Sequence, residues 1–213
     1  MRRILEVINL AGSAENFIGD QMSFFQANGE YEVHLICSDG PNLKAFCESQ
    51  GIKHKVVTLN RQITLKQDIK AFFEICKYIK NNKIDIVFCH QAKARTLAIP
   101  ASFLMGVKHR IIFAHGVLYE TMKGLKRWLV LSNDRLLGRL ATKVVCVSHY
   151  VADKRVRDRI DRPSSQVIIG HGSCSGIDVD GLFNPLLIDS RILNDKKNAL
   201  GISDNDFKCF LFS

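Results

Sequence analysis

Two short apolar runs, residues 84–89 (IDIVFC) and 110–114 (RIIFA), constrain this chain more than any other feature. Each is β-branched or aromatic on successive positions, the pattern of strands buried on both faces of a parallel sheet, and each ends in a histidine, His90 or His115. Residues 92–105 between them carry Ala94, Leu97, Ala98, Ala101, Leu104 and Met105 at helical spacing, and Gly106 supplies a stop. The unit therefore reads as βαβ. Parallel strands point their carboxyl ends the same way, so the two histidines fall on one rim, the side on which open α/β sheets bind ligands.

The same alternation extends in both directions. Residues 3–10 form a first strand, followed by the stretch AGSAE, read as a glycine loop at Gly12, and a helix that stops at Asn28–Gly29. Gly12 is a candidate for close backbone approach to a substrate or a plain turn glycine. A GxGxxG dinucleotide fingerprint is absent at this turn, since the next glycine is Gly19. Residues 31–38 and 53–59 read as strands around a short helix at 42–50, and residues 64–81 as a strongly amphipathic helix with a lysine-bearing outer face. Residues 144–148 give a further strand ending at Ser148, then a basic helix at 151–160, a seventh strand at 167–169, and a glycine- and serine-rich loop at 170–178. Ser148 is either a rim contact or the cap of the helix that follows. Its neighbour His149 does not make a hydrolase, because no GxSxG surrounds it. A helix around residues 190–200 and a strand starting at 207–212 complete the chain.

Charge narrows the partners. Thirty Lys and Arg against 21 Asp and Glu give a formal charge of +9, which favours an anionic partner: nucleic acid, phosphorylated ligand or acidic membrane. Aromatic residues are not interleaved with the basic ones, which argues against nucleic acid. Residues 123–128 (KGLKRW) place Lys123, Lys126, Arg127 and Trp128 on a basic amphipathic segment suited to an anionic bilayer surface, although most of the apolar stripe beyond it is expected to pack on the sheet. The seven cysteines form no CxxC pair and several lie in apolar runs, as expected of reduced thiols in a cytoplasmic protein. The amino-terminal run is broken by Glu6 and Asn9 before it reaches signal-peptide length, and no run reaches the ~20 apolar residues of a membrane span.

Taken together in their order and spacing, several pieces resemble the amino-terminal domain of family 4 glycosyltransferases of the bacterial capsular and lipid-linked polysaccharide branch. They are the Gly12 segment, Arg61 and Asp68 in RQITLKQD, IDIVFCH, HRIIFAHG, KGLKRWL, VVCVSHYV and IIGHGSCSGIDVDGLFNP. Family members usually have asparagine where this chain has Ser175. The resemblance implies an α/β fold, a doubly wound, Rossmann-like parallel sheet of about seven strands forming one half of a two-domain GT-B enzyme. Residues 1–185 would be the acceptor-side domain, and 186–213 a linker with the truncated start of the donor-binding domain. It also implies a retaining hexosyl transfer from a nucleotide-sugar donor, a substrate rather than a cofactor, to a lipid-linked saccharide, with no metal. The protein would sit in the cytoplasm, peripheral on the inner face of the plasma membrane. His115 is then the candidate catalytic residue, with Gly12, His90, Gly116 and Ser148 binding substrate. This chain by itself is expected to be inactive, lacking the basic pair and carboxylates that relatives use on the donor. The alternative is a Rossmann-like domain that binds a nucleotide or anion without catalysis.

Overall fold

The structure is a computed structural model describing residues 1–60, 62–173, 176, 179–181 and 183–203. Arg61, Cys174, Ser175, Cys209 and the expected strand at 207–212 lie outside the described residues. The chain divides into two compact units, residues 1–175 and 176–213.

Among the described residues of the first unit, seven strands make one sheet: β1 (Arg2–Val7), β2 (Tyr31–Cys37), β3 (Lys53–Val56), β4 (Ile86–Cys89), β5 (His109–Ala114), β6 (Lys143–Cys146) and β7 (Gln166–Val167). Every pairing is parallel, in the order β3-β2-β1-β4-β5-β6-β7. The order reverses between β1 and β4, where Val7 pairs with Cys89, and this is the topological switch point.

Helices cover both faces because the strands are apolar on both. Helix α1 (Ala11–Ala27) and α2 (Leu43–Ser49) pack Ala14, Ile18, Met22 and Cys47 against Val33, Leu35 and Cys37. On the other face α3 (Leu65–Asn82), α4 (Ala92–Leu104), α5 (Gly124–Leu140) and α6 (His149–Arg157) bring Ile75, Ala98, Leu137 and Val151 onto Leu5, Val87, Ile112 and Val144. Lys93 Nζ reaches both carboxylate oxygens of Asp68, at 2.8 and 2.7 Å, and so ties α4 to α3. Helix α5 packs close on the turn after α6, since a Cβ on Gly138 would stand 2.4 Å from the Ile160 carbonyl oxygen. Glycine is required there by space alone.

Several boundaries differ from the sequence reading. Helix α1 begins at Ala11, so Gly12 lies in its first turn and not in a loop; Ala11, Ala14, Ile18 and Met22 carry one inward stripe straight through AGSAE. Strand β3 stops at Val56, and the next residues are held by side bonds instead, Val57 N–H to the Cys37 carbonyl and Leu59 N–H to Ser38 Oγ. Helix α6 starts at His149, and β7 is only two residues long. Five cysteines (Cys37, Cys47, Cys76, Cys89 and Cys146) are free and buried, and burial pushes the thiols of Cys37 and Cys146 up to about 12 and about 11.

The second unit contains a 3₁₀ turn, Pro185–Leu187, and helix α7 (Ser190–Ala199), whose first turn is capped by Asp189 accepting from the Arg191 amide at 2.7 Å.

Candidate active site

Polar side chains collect where β1, β4 and β5 end. Glu6, fully buried one residue before the end of β1, faces His90, which leaves the end of β4; Glu6 Oε2 and His90 Nε2 are 3.0 Å apart. The other nitrogen of His90, Nδ1, lies 3.3 Å from Nε2 of His115 at the end of β5. The planes of the two imidazoles are 26° apart and their centroids 5.5 Å. That separation exceeds the nitrogen–nitrogen distance by what two ring radii supply, so the rings meet edge to edge, as an in-plane hydrogen bond requires. Phe113 stacks on His90 at 4.4 Å, and Phe17 of α1 stands edge-on to His115 at 5.9 Å.

This order of contacts dictates which nitrogen carries each proton. With Glu6 as a carboxylate its Oε2 can only accept, so a neutral His90 holds its single proton on Nε2 and presents a lone pair at Nδ1. His115 then donates from Nε2, which leaves His115 Nδ1 as an acceptor. Burial, with smaller contributions from His90 and Arg95, lowers the His115 pKa to about 4. At neutral pH the residue is an uncharged hydrogen-bond acceptor, suited to a hydroxyl.

Replacing Glu6 with glutamine tests this order. A glutamine amide can donate to His90 Nε2, which would turn both imidazoles over and make His115 Nδ1 a donor. The ¹⁵N shifts of the His115 ring should exchange between wild type and E6Q while the far-UV spectrum is unchanged. Identical tautomers in both proteins would refute the assignment.

The pocket beside His115 has a volume of about 470 Å³ and is lined by Gln91, Arg95, Phe113, His115, Leu118 and Thr121 among others. Gln91 adopts φ 67° and ψ 162°, a backbone conformation that costs a non-glycine residue on the order of 1–3 kcal/mol. Its side chain offsets that strain by accepting from the Asn9 amide at 3.1 Å and donating to Ser13 Oγ at 3.2 Å, while Asn9 Oδ1 accepts from the Ala94 amide. The turns after β1 and β4 are thereby joined across the switch point.

Of the residues singled out from sequence, His115 and Gly116 line this pocket. His90 is 1% exposed with both ring nitrogens engaged, so it acts on a ligand only through His115. Ser148 caps α6, its Oγ accepting from the Val151 amide at 3.2 Å. Gly12 lies in the exposed first turn of α1 and does not line the pocket. Lys123, Lys126 and Trp128 are exposed, whereas Arg127 is half-buried with its guanidinium 5.7 Å from the Tyr119 ring centre, turned inward by that cation–π contact. Glu6, Gln91 and Arg95 escaped the sequence reading. A carboxylate inside a strand buried on both faces was the available signal for Glu6, because such a group needs a partner.

An open parallel sheet of this order, with polar groups at its switch point, places the first unit in the Rossmann-like class. The sequence matches the family described as "Glycosyl transferase 4-like" over residues 6–148, and the chain belongs to that family. It is 26% identical over 174 residues to the Staphylococcus aureus capsular polysaccharide biosynthesis glycosyltransferase CapM, covering 82% of this chain and 44% of that protein. It is 24% identical over 185 residues to the Escherichia coli UDP-Gal:α-D-GlcNAc-diphosphoundecaprenol α-1,3-galactosyltransferase, covering 84% and 45%. This chain thus spans somewhat under half the length of these curated relatives. Among solved structures, Anabaena Alr3699/HepE in complex with UDP-glucose superposes with a TM-score of 0.67 at 16% identity, over 96% of this chain and 51% of that one. That likeness is one of fold.

Proposed function

We propose that this chain is the acceptor-side half of a retaining hexosyltransferase that moves a sugar from a nucleotide-sugar donor to a lipid-linked saccharide during synthesis of a bacterial surface polysaccharide such as a capsule. The observation that carries the reading is His115: a neutral imidazole on the pocket wall, oriented by Glu6 through His90, at the ligand-binding edge of a glycosyltransferase fold. Its free Nδ1 accepts from a sugar hydroxyl, and Gly116 beside it leaves space, since an added Cβ there would meet nothing within 4 Å. Holding that hydroxyl against a bound donor turns a two-substrate encounter into a positioned one. The leaving diphosphate and the donor sugar are assigned to the second half, outside these residues, with no metal ion. The test is a transfer assay of the longer protein with a panel of nucleotide sugars and short-chain diphosphate-linked saccharides. Nucleotide-sugar hydrolysis without transfer to any acceptor would refute the reading.

The proposed place of work is the cytoplasmic face of the plasma membrane. No described helix is long and apolar enough to cross a membrane. Instead the start of α5 exposes Leu125 (71%), Trp128 (60%) and Leu129 (52%) beside Lys123 and Lys126. Each basic group near an anionic surface contributes about 1 kcal/mol. The double variant K123E/K126E should therefore bind vesicles containing anionic lipid at least tenfold more weakly than wild type, and binding of both should fall with salt. Equal sedimentation with neutral and anionic vesicles would remove the claim. Arg127 is left out of the variant because it packs on Tyr119.

A further inference from the structure

Helix α4 meets the pocket with its amino terminus only partly capped. Its N-cap residue, Gln91, makes no side-chain cap, because its amide is drawn away to Asn9 and Ser13, and no acidic residue stands in the first turn. Ala94 is capped by Asn9, while the Ala92 and Lys93 amides meet no acceptor among the described residues. Arg95, on the same turn, is 6% exposed. Its Nη2 donates to Asp134 Oδ1 at 2.8 Å, but its Nε is buried with no acceptor among the described residues. Among the described residues, Arg95 is the one charged residue in the pocket lining, which includes no carboxylate.

Two independent features thus lack an acceptor, and Ala92 and Arg95, which carry them, both line the pocket. Unpaired amides at a helix amino terminus carry partial positive charge and bind anions. A buried guanidinium donor without a partner loses its hydration with nothing in return, a state that a ligand oxygen relieves. We propose that this corner is an oxyanion subsite that holds a phosphoryl group of the acceptor, with Arg95 and the first amides of α4 as donors. The assignment to the acceptor rests on the transferase reading above. A phosphoryl group has enough oxygens to serve the guanidinium and the helix end together. The pocket also opens in the right direction. Its wall at Leu118 and Thr121 continues within two residues to Lys123 and on to the exposed Leu125 and Trp128, so a diphosphate-linked lipid chain has an apolar, basic path out.

The test is titration of the ¹⁵N-labelled chain with N-acetylglucosamine 1-phosphate, N-acetylglucosamine, inorganic phosphate and UDP, following the Arg95 Nε–H signal and the Ala92 and Lys93 amides. The sugar phosphate should shift all three signals, and the neutral sugar should not move the Arg95 signal. Because R95Q alone strands the buried Asp134, the double variant R95Q/D134N removes the pair together, and it should lose at least tenfold in sugar-phosphate affinity. Unchanged affinity in the double variant, or no response at Arg95, overturns the subsite. A response to UDP or inorganic phosphate without one to the sugar phosphate overturns its assignment to the acceptor. The two readings fail separately. A protein that transfers sugar and loses transfer in H115A, yet shows no response at Arg95, sinks the subsite alone. A sugar-phosphate response at Arg95 in a protein without transfer supports the phosphoryl chemistry and sinks the transferase reading.

Discussion

Replacing His115 with alanine in the longer protein is expected to lower kcat by about a hundredfold or more, with the KM for nucleotide sugar changed by less than about twofold. The asymmetry follows from where the side chain stands. His115 lines the pocket proposed for the acceptor, so on that reading its loss removes a contact that counts when the hydroxyl attacks, while the proposed donor contacts lie in the other half. Steady-state kinetics with each substrate varied in turn would decide it, and an equal loss in donor affinity would place His115 on the donor instead. The pH dependence is a second arm. Burial depresses His115 from its ordinary 6.5 to about 4, so no acid limb near 6.5 should be traceable to this residue, and the alanine variant should keep the wild-type profile above pH 5. The sign for stability follows the same shift. Between about 6.5 and about 4 the unfolded chain takes up the proton more readily, so His115 makes the fold less stable as pH falls through that window and costs nothing above it.

The second large effect is on folding. Arg155 and Asp161 form a bidentate pair, Nε to Oδ2 at 2.5 Å and Nη2 to Oδ1 at 2.9 Å, with the arginine 1% exposed. Taking away one partner leaves an uncompensated buried charge, a loss of about 3–5 kcal/mol. Asp161→Ala should therefore lose a large part of a stability that in domains of this size is about 5–15 kcal/mol. The effect is not confined to the ion pair. Gln166 at the start of β7 also donates to Asp161 Oδ2, at 3.3 Å, and Gly138 packs α5 against the same turn. Urea unfolding of D161A beside the double variant R155M/D161L would separate the terms. The double variant removes both charges and should retain clearly more stability than D161A; equal loss in both would mean that packing on this turn, and not the unpaired charge, sets the cost.

Sequence and tertiary structure contributed differently to these expectations. The continuous apolar runs and the helical spacing between them specified a parallel α/β sheet, and the position of a histidine directly after each run put His90 and His115 on one edge. Those are local signals, readable because backbone hydrogen bonding imposes a fixed period on whichever face is buried. The same locality misplaced the start of α1, where AGSAE reads as a loop until Ala11 and Ala14 are seen to continue the stripe of Ile18 and Met22. Ser148 was legible only as a choice between rim and cap, and the structure shows it capping α6.

What the tertiary structure alone decided is the polar wiring. Glu6 and His90 are 84 residues apart, His90 and His115 are 25, and Arg95 and Asp134 are 39. No periodicity relates such pairs. They are fixed by the strand order, which sets β1 beside β4 and β4 beside β5, and by the cost of burying a charge without a partner. Glu6 read alone is a blemish in an apolar strand; beside His90 it is the group that sets which nitrogen of His115 carries the proton. The residues were in the sequence, and only packing turned them into neighbours.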